Sequence, residues 1–247
     1  MGVNGMADSG FGDKVGALVF DTFGTVVDWR SSVIKAGEKL SRETGQTVDW
    51  PTFAEEWRRK GYHEQIAKIR KGEAPYETTD VFMRHKLEEM VPKYGLKLTP
   101  EQFEWFHKVW HRLDPWPDAV EGLTRLKKKF VIATLSNGNV ALLVNMAKRA
   151  GLPWDMVLSA ELVEKFKPEP EMYLSSGRLL GLPMDRVMMS AAHLRDLYSS
   201  RQYGMRTAFI RRPLEWGEGG PQEGEPDREK IDVVATDFVD LANQLGA

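Results

Sequence analysis

The sequence contains no cysteine. That excludes disulfides, thiolate metal centres and cysteine nucleophiles, and it says nothing about compartment. An excess of one charge is missing too. The 34 Lys and Arg nearly balance 36 Asp and Glu, leaving a formal net charge of −2. No bulk field therefore draws the chain to nucleic acid or to an anionic lipid surface. No apolar run approaches the roughly 20 residues of a membrane span. The first residues, MGVNGMADSGFGDK, are Gly-rich and acidic, unlike the basic-then-apolar order of a signal peptide. The expectation is a cytoplasmic protein with no nucleic-acid or membrane partner. No internal repeat is present.

What is there suits a large α/β protein. The 247 residues are 42% hydrophobic, ample for a core. Residues 15–20 (VGALVF) form a short apolar run, as in a parallel strand covered on both faces. From about Ser31 to His111 the pattern turns helical, with charged and aromatic residues at spacings of three and four. LTPEQF starts a helix there, with Thr99 as N-cap and Pro100 in the first position. DPWPDA (114–119) ends the block.

Strand-like and helix-like segments then alternate. FVIATLS (130–136), DMVLSAEL, VMMSAA (187–192) and RTAFI (206–210) read as strands. VALLVNMAKRAG, PEPEMYLSSGRLLG and DLYSSRQYG read as helices. Such alternation predicts a doubly wound parallel sheet with helices on both faces. Residues 215–229 are polar and rich in Gly and Pro, and are expected as an exposed loop. The division expected is a discontinuous α/β core, residues 1–28 and 113–247, with a helical cap, 29–112, inserted after the first strand.

In open α/β sheets the site lies beyond the carboxyl ends of the strands. Asp21, Ser136 with Asn137, the Lys167 segment and Asp196 all end or follow apolar runs. Each alone reads as readily as a helix cap or a turn residue. Together they point to one crevice.

Four motifs, DTFGT, TLSNGN, KFKPEPEMY and SAAHLRDL, occur in this order between about residues 15 and 210. As a set they resemble the signatures of the haloacid dehalogenase superfamily, and within it the 2-haloacid dehalogenases. The resemblance implies a doubly wound core with a helical cap, in agreement with the pattern. It also implies Asp21 as nucleophile on a small 2-haloacid, without cofactor. The family's phosphatases carry a second acid two residues after the nucleophile, for acid–base work and a Mg²⁺ site. Here that position is Phe23. A ring neither protonates a leaving group nor binds a cation, but it makes an apolar wall for a carbon–halogen substrate. Halide leaves as an anion and needs no general acid. What remains for Asp21 is displacement at carbon through an aspartyl ester, which water then hydrolyses. No metal is expected. A metal-dependent phosphatase and a non-catalytic binding protein on the same scaffold are the alternatives. The sequence leaves a homodimer open.

The remaining roles follow by position in the motifs. Thr25 can hydrogen-bond the nucleophile's carboxylate, and Gly24 lets the loop turn beside it. Ser136 and Asn137 resemble the pair that holds the substrate carboxylate and orients the nucleophile. Lys167 resembles the family lysine that keeps the nucleophile ionised. Tyr173 matches a family tyrosine, and Asp196 the acid that positions Lys167 and the hydrolytic water. Arg58, in EEWRRKGY, aligns with the cap arginine that contacts substrate or halide. The fourth motif departs from the better-known members, which have Ser-x-Asn, then Trp, then the acid. These positions here are Ala191, His193, Arg195 and Asp196. His193 thus puts an ionisable ring at this position, expected either as a donor to the departing halide or as a residue that packs at the sheet edge and merely shapes the pocket.

Overall fold

The computed structural model describes residues 12–247. Most of the stretch compared above with a signal peptide lies outside the described residues. Strand β1 (Ala17–Phe20) is fully buried at every position, so both of its faces are covered. It lies inside a six-stranded sheet of order β5-β4-β1-β6-β7-β8. The other members are β4 (Val131–Ser136), β5 (Met156–Ser159), β6 (Val187–Ala191), β7 (Arg206–Ile210) and β8 (Val233–Ala235). Every pairing in it is parallel. The chain leaves β1 to build one side of the sheet, then returns to build the other. The strand order therefore reverses at β1, where such sheets hold their ligands. Phe20 is in register with Thr134 and Ser190, so the next residue, Asp21, emerges between two neighbouring strand ends.

Between β1 and β4 the chain is mostly helical: α1 (Trp29–Thr44), α2 (Trp50–Glu56), a π-helical turn (Trp57–His63), α3 (Glu64–Arg70), α4 (Thr79–Lys93) and α5 (Pro100–His107). The starts are set by caps. Asp28 accepts Ser31 N–H at 3.0 Å, and Asp49 accepts Thr52 N–H at 3.1 Å. Thr99 and Gln102 form a reciprocal capping box with Pro100 at the first position, as the sequence signalled. Where the helical block leaves and rejoins the sheet, β2 (Val27–Asp28) pairs antiparallel with β3 (Asp114–Pro115). The later helices are α6 (Ala119–Lys127), α7 (Val140–Ala150), α8 (Pro170–Leu180), α9 (Leu194–Arg201) and α10 (Phe238–Gln244).

Four details differ from the pattern reading. The strand expected over DMVLSAEL stops at Ser159, whose hydroxyl accepts Glu161 N–H at 3.1 Å and turns the chain. Helix α9 starts two residues before Asp196. Strand β8 and helix α10 were not anticipated: the three residues of β8 are too few to show a period, and the seven of α10 make barely two turns. Residues 215–229 carry no helix or strand, as expected. They are not wholly exposed, however: Glu215 is buried. The anchor is Arg212, which binds Asp118 through both oxygens at 2.8 Å and donates to the Thr25 carbonyl at 2.9 Å. Trp216 then packs edge-on against Trp29, with ring centres 5.0 Å apart.

Candidate active site

Asp21 follows directly from β1, and its backbone N–H donates to Ser190 O at 3.1 Å. The carboxylate is enclosed by donors. Oδ1 accepts Lys167 Nζ at 2.8 Å, and Oδ2 accepts Thr25 Oγ1 at 2.8 Å and His193 Nδ1 at 3.1 Å. Burial alone would raise the pKa of this acid, but Lys167 and His193 outweigh it and hold Asp21 far below the carboxylate range. The Asp21 carboxylate is thus ionised and desolvated at once. Thr25 is itself fixed, since its hydroxyl accepts Ala192 N–H at 2.9 Å.

Lys167 lies in the loop between β5 and α8 and bridges two carboxylates. Its ammonium donates to Asp21 and, in a very short contact, to Asp196. The other oxygen of Asp196 accepts Tyr173 Oη–H at 2.6 Å. Burial lowers the lysine's affinity for its proton, but the two anions reverse this and raise its pKa. Asp196 goes the other way: burial raises its pKa, and Asp21 nearby adds to that. Burial and Asp196 keep the Tyr173 phenol protonated.

His193 leads into α9 and stands between two acids. Nδ1 donates to Asp21, and Nε2 donates to Glu215 Oε2 at 3.0 Å and Oε1 at 3.2 Å. Trp29 Nε1–H also donates to Glu215 Oε1, at 3.1 Å. Burial disfavours the imidazolium, but the two carboxylates push its pKa up to about 10. Glu215 is held below its ordinary value, burial notwithstanding, by His193. Sequence reading missed Glu215. It lies in the Gly/Pro-rich stretch and carries no local signal of burial.

From the helical block come Arg58 and Tyr62, both on the π-helical turn. The Arg58 guanidinium lies 4.0 Å from the centre of the Tyr62 ring and 5.3 Å from that of Phe23. It is 3% exposed, and its Nε and Nη1 have no hydrogen-bond partner among the described residues. These donors share a cavity of about 630 Å³ with Asp21, Asn137, Lys167, His193 and Asp196. His63 lies on the same wall. Burial and the charge of Arg58 lower its pKa to about 3, so it is neutral.

Eight of the ten expected residues thus meet at this cavity or touch Asp21 directly: Asp21, Thr25, Arg58, Asn137, Lys167, Tyr173, His193 and Asp196. Two are placed differently. Ser136, expected to hold substrate, is fully buried, and its hydroxyl accepts Gly138 N–H at 3.2 Å. At a strand end it caps its own turn instead of facing the cavity. Phe23, expected as a wall, is 1% exposed and packs edge-on to Tyr62 and Trp110. It supports the guanidinium and Tyr62 from one layer below. Asn137 lines the cavity, but its Oδ1 accepts Lys167 N–H at 2.8 Å and so fixes the lysine loop rather than Asp21. Among the described residues no three His, Asp or Glu side chains converge as a metal site requires. No described helix is long and apolar enough to cross a membrane.

Residues 15–189 match the family described as haloacid dehalogenase-like hydrolase. The chain belongs to that family. Among solved structures, this hydrolase is 43% identical to the L-2-haloacid dehalogenase PA0810, with a TM-score of 0.90 over 94% of this chain and 99% of the other. It is 39% identical to the defluorinating L-2-haloacid dehalogenase Rha0230, with a TM-score of 0.89 over 94% and 96%. Among curated proteins it is 28% identical to (S)-2-haloacid dehalogenase 4A of Burkholderia cepacia, over 86% of this chain and 88% of that one. The haloacid dehalogenase-like fold and the 2-haloacid dehalogenase resemblance read from the four motifs are both borne out.

Proposed function

We propose that this hydrolase converts small 2-haloacids to 2-hydroxy acids and halide through an ester on Asp21. In this reading residues 1–28 and 113–247 are the core, and 29–112 form a cap that brings Arg58 over the nucleophile. The carrying observation is the Asp21 carboxylate held ionised by Lys167, with Phe23 where a phosphatase has its second acid. Arg58 supplies unpartnered N–H donors for the substrate carboxylate or the departing halide. Asp21 attacks the carbon bearing halogen, the carbon–halogen bond breaks, and halide leaves with the bonding pair. Asp196 and Tyr173 hold Lys167 against the carboxylate. Water then cleaves the ester.

Halide release from chloroacetate and 2-chloropropionate, measured in EDTA, tests the reading. The parent should release halide, and Asp21→Asn should not. One turnover in heavy-oxygen water should place a protein oxygen in the product. A first turnover carrying only solvent oxygen would point to direct attack by water. Activity lost in EDTA and restored by Mg²⁺ would return the chain to the phosphatases.

A further inference from the structure

We propose that the rim of the main cavity holds a second anion site, built on Arg195, and that the preferred substrates are 2-halo diacids, with a carboxylate at each end of a short methylene chain. This deepens the dehalogenase reading above and rests on it. Deep in the cavity the charges are matched among themselves. Lys167 lies between Asp21 and Asp196, and His193 between Asp21 and Glu215. Arg58 adds a third cation to these three acids, with donors left for one substrate carboxylate or halide. The other cations of the cavity stand at its rim, where the inner acids do not reach them.

One helix face leads from the inner site to that rim. Tyr62, Ile66 and Arg70 recur every four residues, from the π-helical turn into α3, and Ala67 stands beside Ile66. All four line the cavity. Residues four apart share a face, and eight residues of helix run about 12 Å. The face starts at Tyr62, whose ring centre is 4.0 Å from the Arg58 guanidinium, and ends at Arg70. Between them Ile66 and Ala67 offer an apolar flank that suits methylenes. The cavity, about 630 Å³, also exceeds what a three-carbon acid fills. Pockets of about 300–1,000 Å³ take drug-sized ligands, whereas 2-chloropropionate has only six heavy atoms.

The exposed charges on the cavity wall are the cations Arg70, Lys71 and Arg195 and the acid Glu223. Two of the cations are engaged. Arg70 donates to Glu169 at 2.7 Å, and Lys71 lies 3.9 Å from Glu73. The Arg195 side chain has no hydrogen-bond or ion-pair partner among the described residues. It is nevertheless within electrostatic reach of the inner site. Burial is the main cause of the lowered pKa of His63, and the charges of Arg58 and Arg195 both add to it. One neutral ring thus feels both guanidinium groups. Arg195 stands one residue before Asp196 in α9, so the helix turn that holds Lys167 also fixes the backbone of the rim cation. A planar guanidinium takes a carboxylate through two parallel N–H bonds.

Bromide release from 2-bromoadipate and 2-bromohexanoate, which share a six-carbon chain, tests the inference. The parent should favour the diacid in kcat/KM by about fivefold, the worth of one partly exposed charge-assisted hydrogen bond. The gain should appear in KM, since the far carboxylate is bound alike before and during displacement. Arg195→Gln should remove the preference, and Arg195→Glu should invert it. Each preference is a ratio within one protein, so a general loss of folding or activity cancels from it. Added salt should shrink the parent's ratio and leave that of Arg195→Gln where it is. A parent that releases bromide from both acids without favouring the diacid overturns this inference alone. So does an Arg195→Gln protein that keeps the parent's preference. A parent that releases no halide from 2-chloropropionate overturns the dehalogenase reading, and this inference with it.

Discussion

The carboxylate of Glu215 fills the space that any side chain at Gly24 would need. An ideal Cβ on Gly24 would meet Oε1 at 2.1 Å, and φ at this residue is +85°. One glycine therefore serves the loop after Asp21 twice, once by conformation and once by leaving room for an acid 191 residues later in the chain.

Gly24→Ala should suffer on both counts. The left-handed backbone costs about 1–2 kcal/mol for a residue with a Cβ, a fall in Tm of a few degrees for a chain this long. The displaced carboxylate should also release His193 from its second anion. We expect a lower imidazolium pKa, readable by NMR titration of the ring. A Tm and a titration both unchanged would refute the close packing of residues 24 and 215.

Stability should depend on pH through His193. Its folded pKa of about 10 lies above the ordinary value of 6.5, so the ring contributes stability fully below about pH 6.5. That contribution fades as pH rises toward about 10. Asp21, Glu215, Arg58, His63 and Arg195 surround it. The parent should therefore lose Tm between these pH values faster than His193→Asn does. Parallel curves would show that the ring is not charged at rest.

Arg58→Lys keeps the charge and loses the planar fork. Charge-assisted hydrogen bonds are worth about 1.5–3 kcal/mol each, so a single lost bond to substrate should raise KM at least tenfold. Steady-state kinetics on 2-chloropropionate would check it. An unchanged KM would mean that the carboxylate binds elsewhere.

Tyr173→Phe strips one donor from Asp196 and leaves a buried oxygen unpaired, at a cost of about 1–3 kcal/mol. Asp196 should then pull harder on the Lys167 ammonium it shares with Asp21. Slower chloride release in the first turnover, together with lower stability in denaturant, is the expected pair of results. A stability loss alone would make the tyrosine a packing residue.

The carboxylate of Asp21 and the cation beside it were legible in the sequence for a physical reason. Asp21, Lys167 and Asp196 stand just beyond apolar runs, and parallel strands collect such positions at one edge. Ser136 carries the same local signal, yet it turns inward to Gly138 because a strand-end hydroxyl finds the next backbone N–H first. Glu215 shows the converse. Its neighbours in sequence are polar and Gly-rich, and its burial depends on Trp29, Gly24 and His193, which only tertiary structure brings near. The π-helical turn that carries Arg58 and Tyr62 is equally silent, since a one-residue change of helical pitch leaves the apolar period almost unaltered. Its Gly61 admits α4, where a Cβ would come within 2.9 Å of Lys86.

Apart from Thr25, every side chain among the described residues that donates to Asp21 lies beyond residue 166. A chain folded only through α8 lacks the histidine, and one ending with β5 lacks the lysine as well. Its aspartate is then an ordinary carboxylate, no more reactive toward an alkyl halide than any on the surface. Reactivity is conferred last, by the far end of the polypeptide, so covalent capture of a haloacid would date the moment at which a newly made molecule becomes whole.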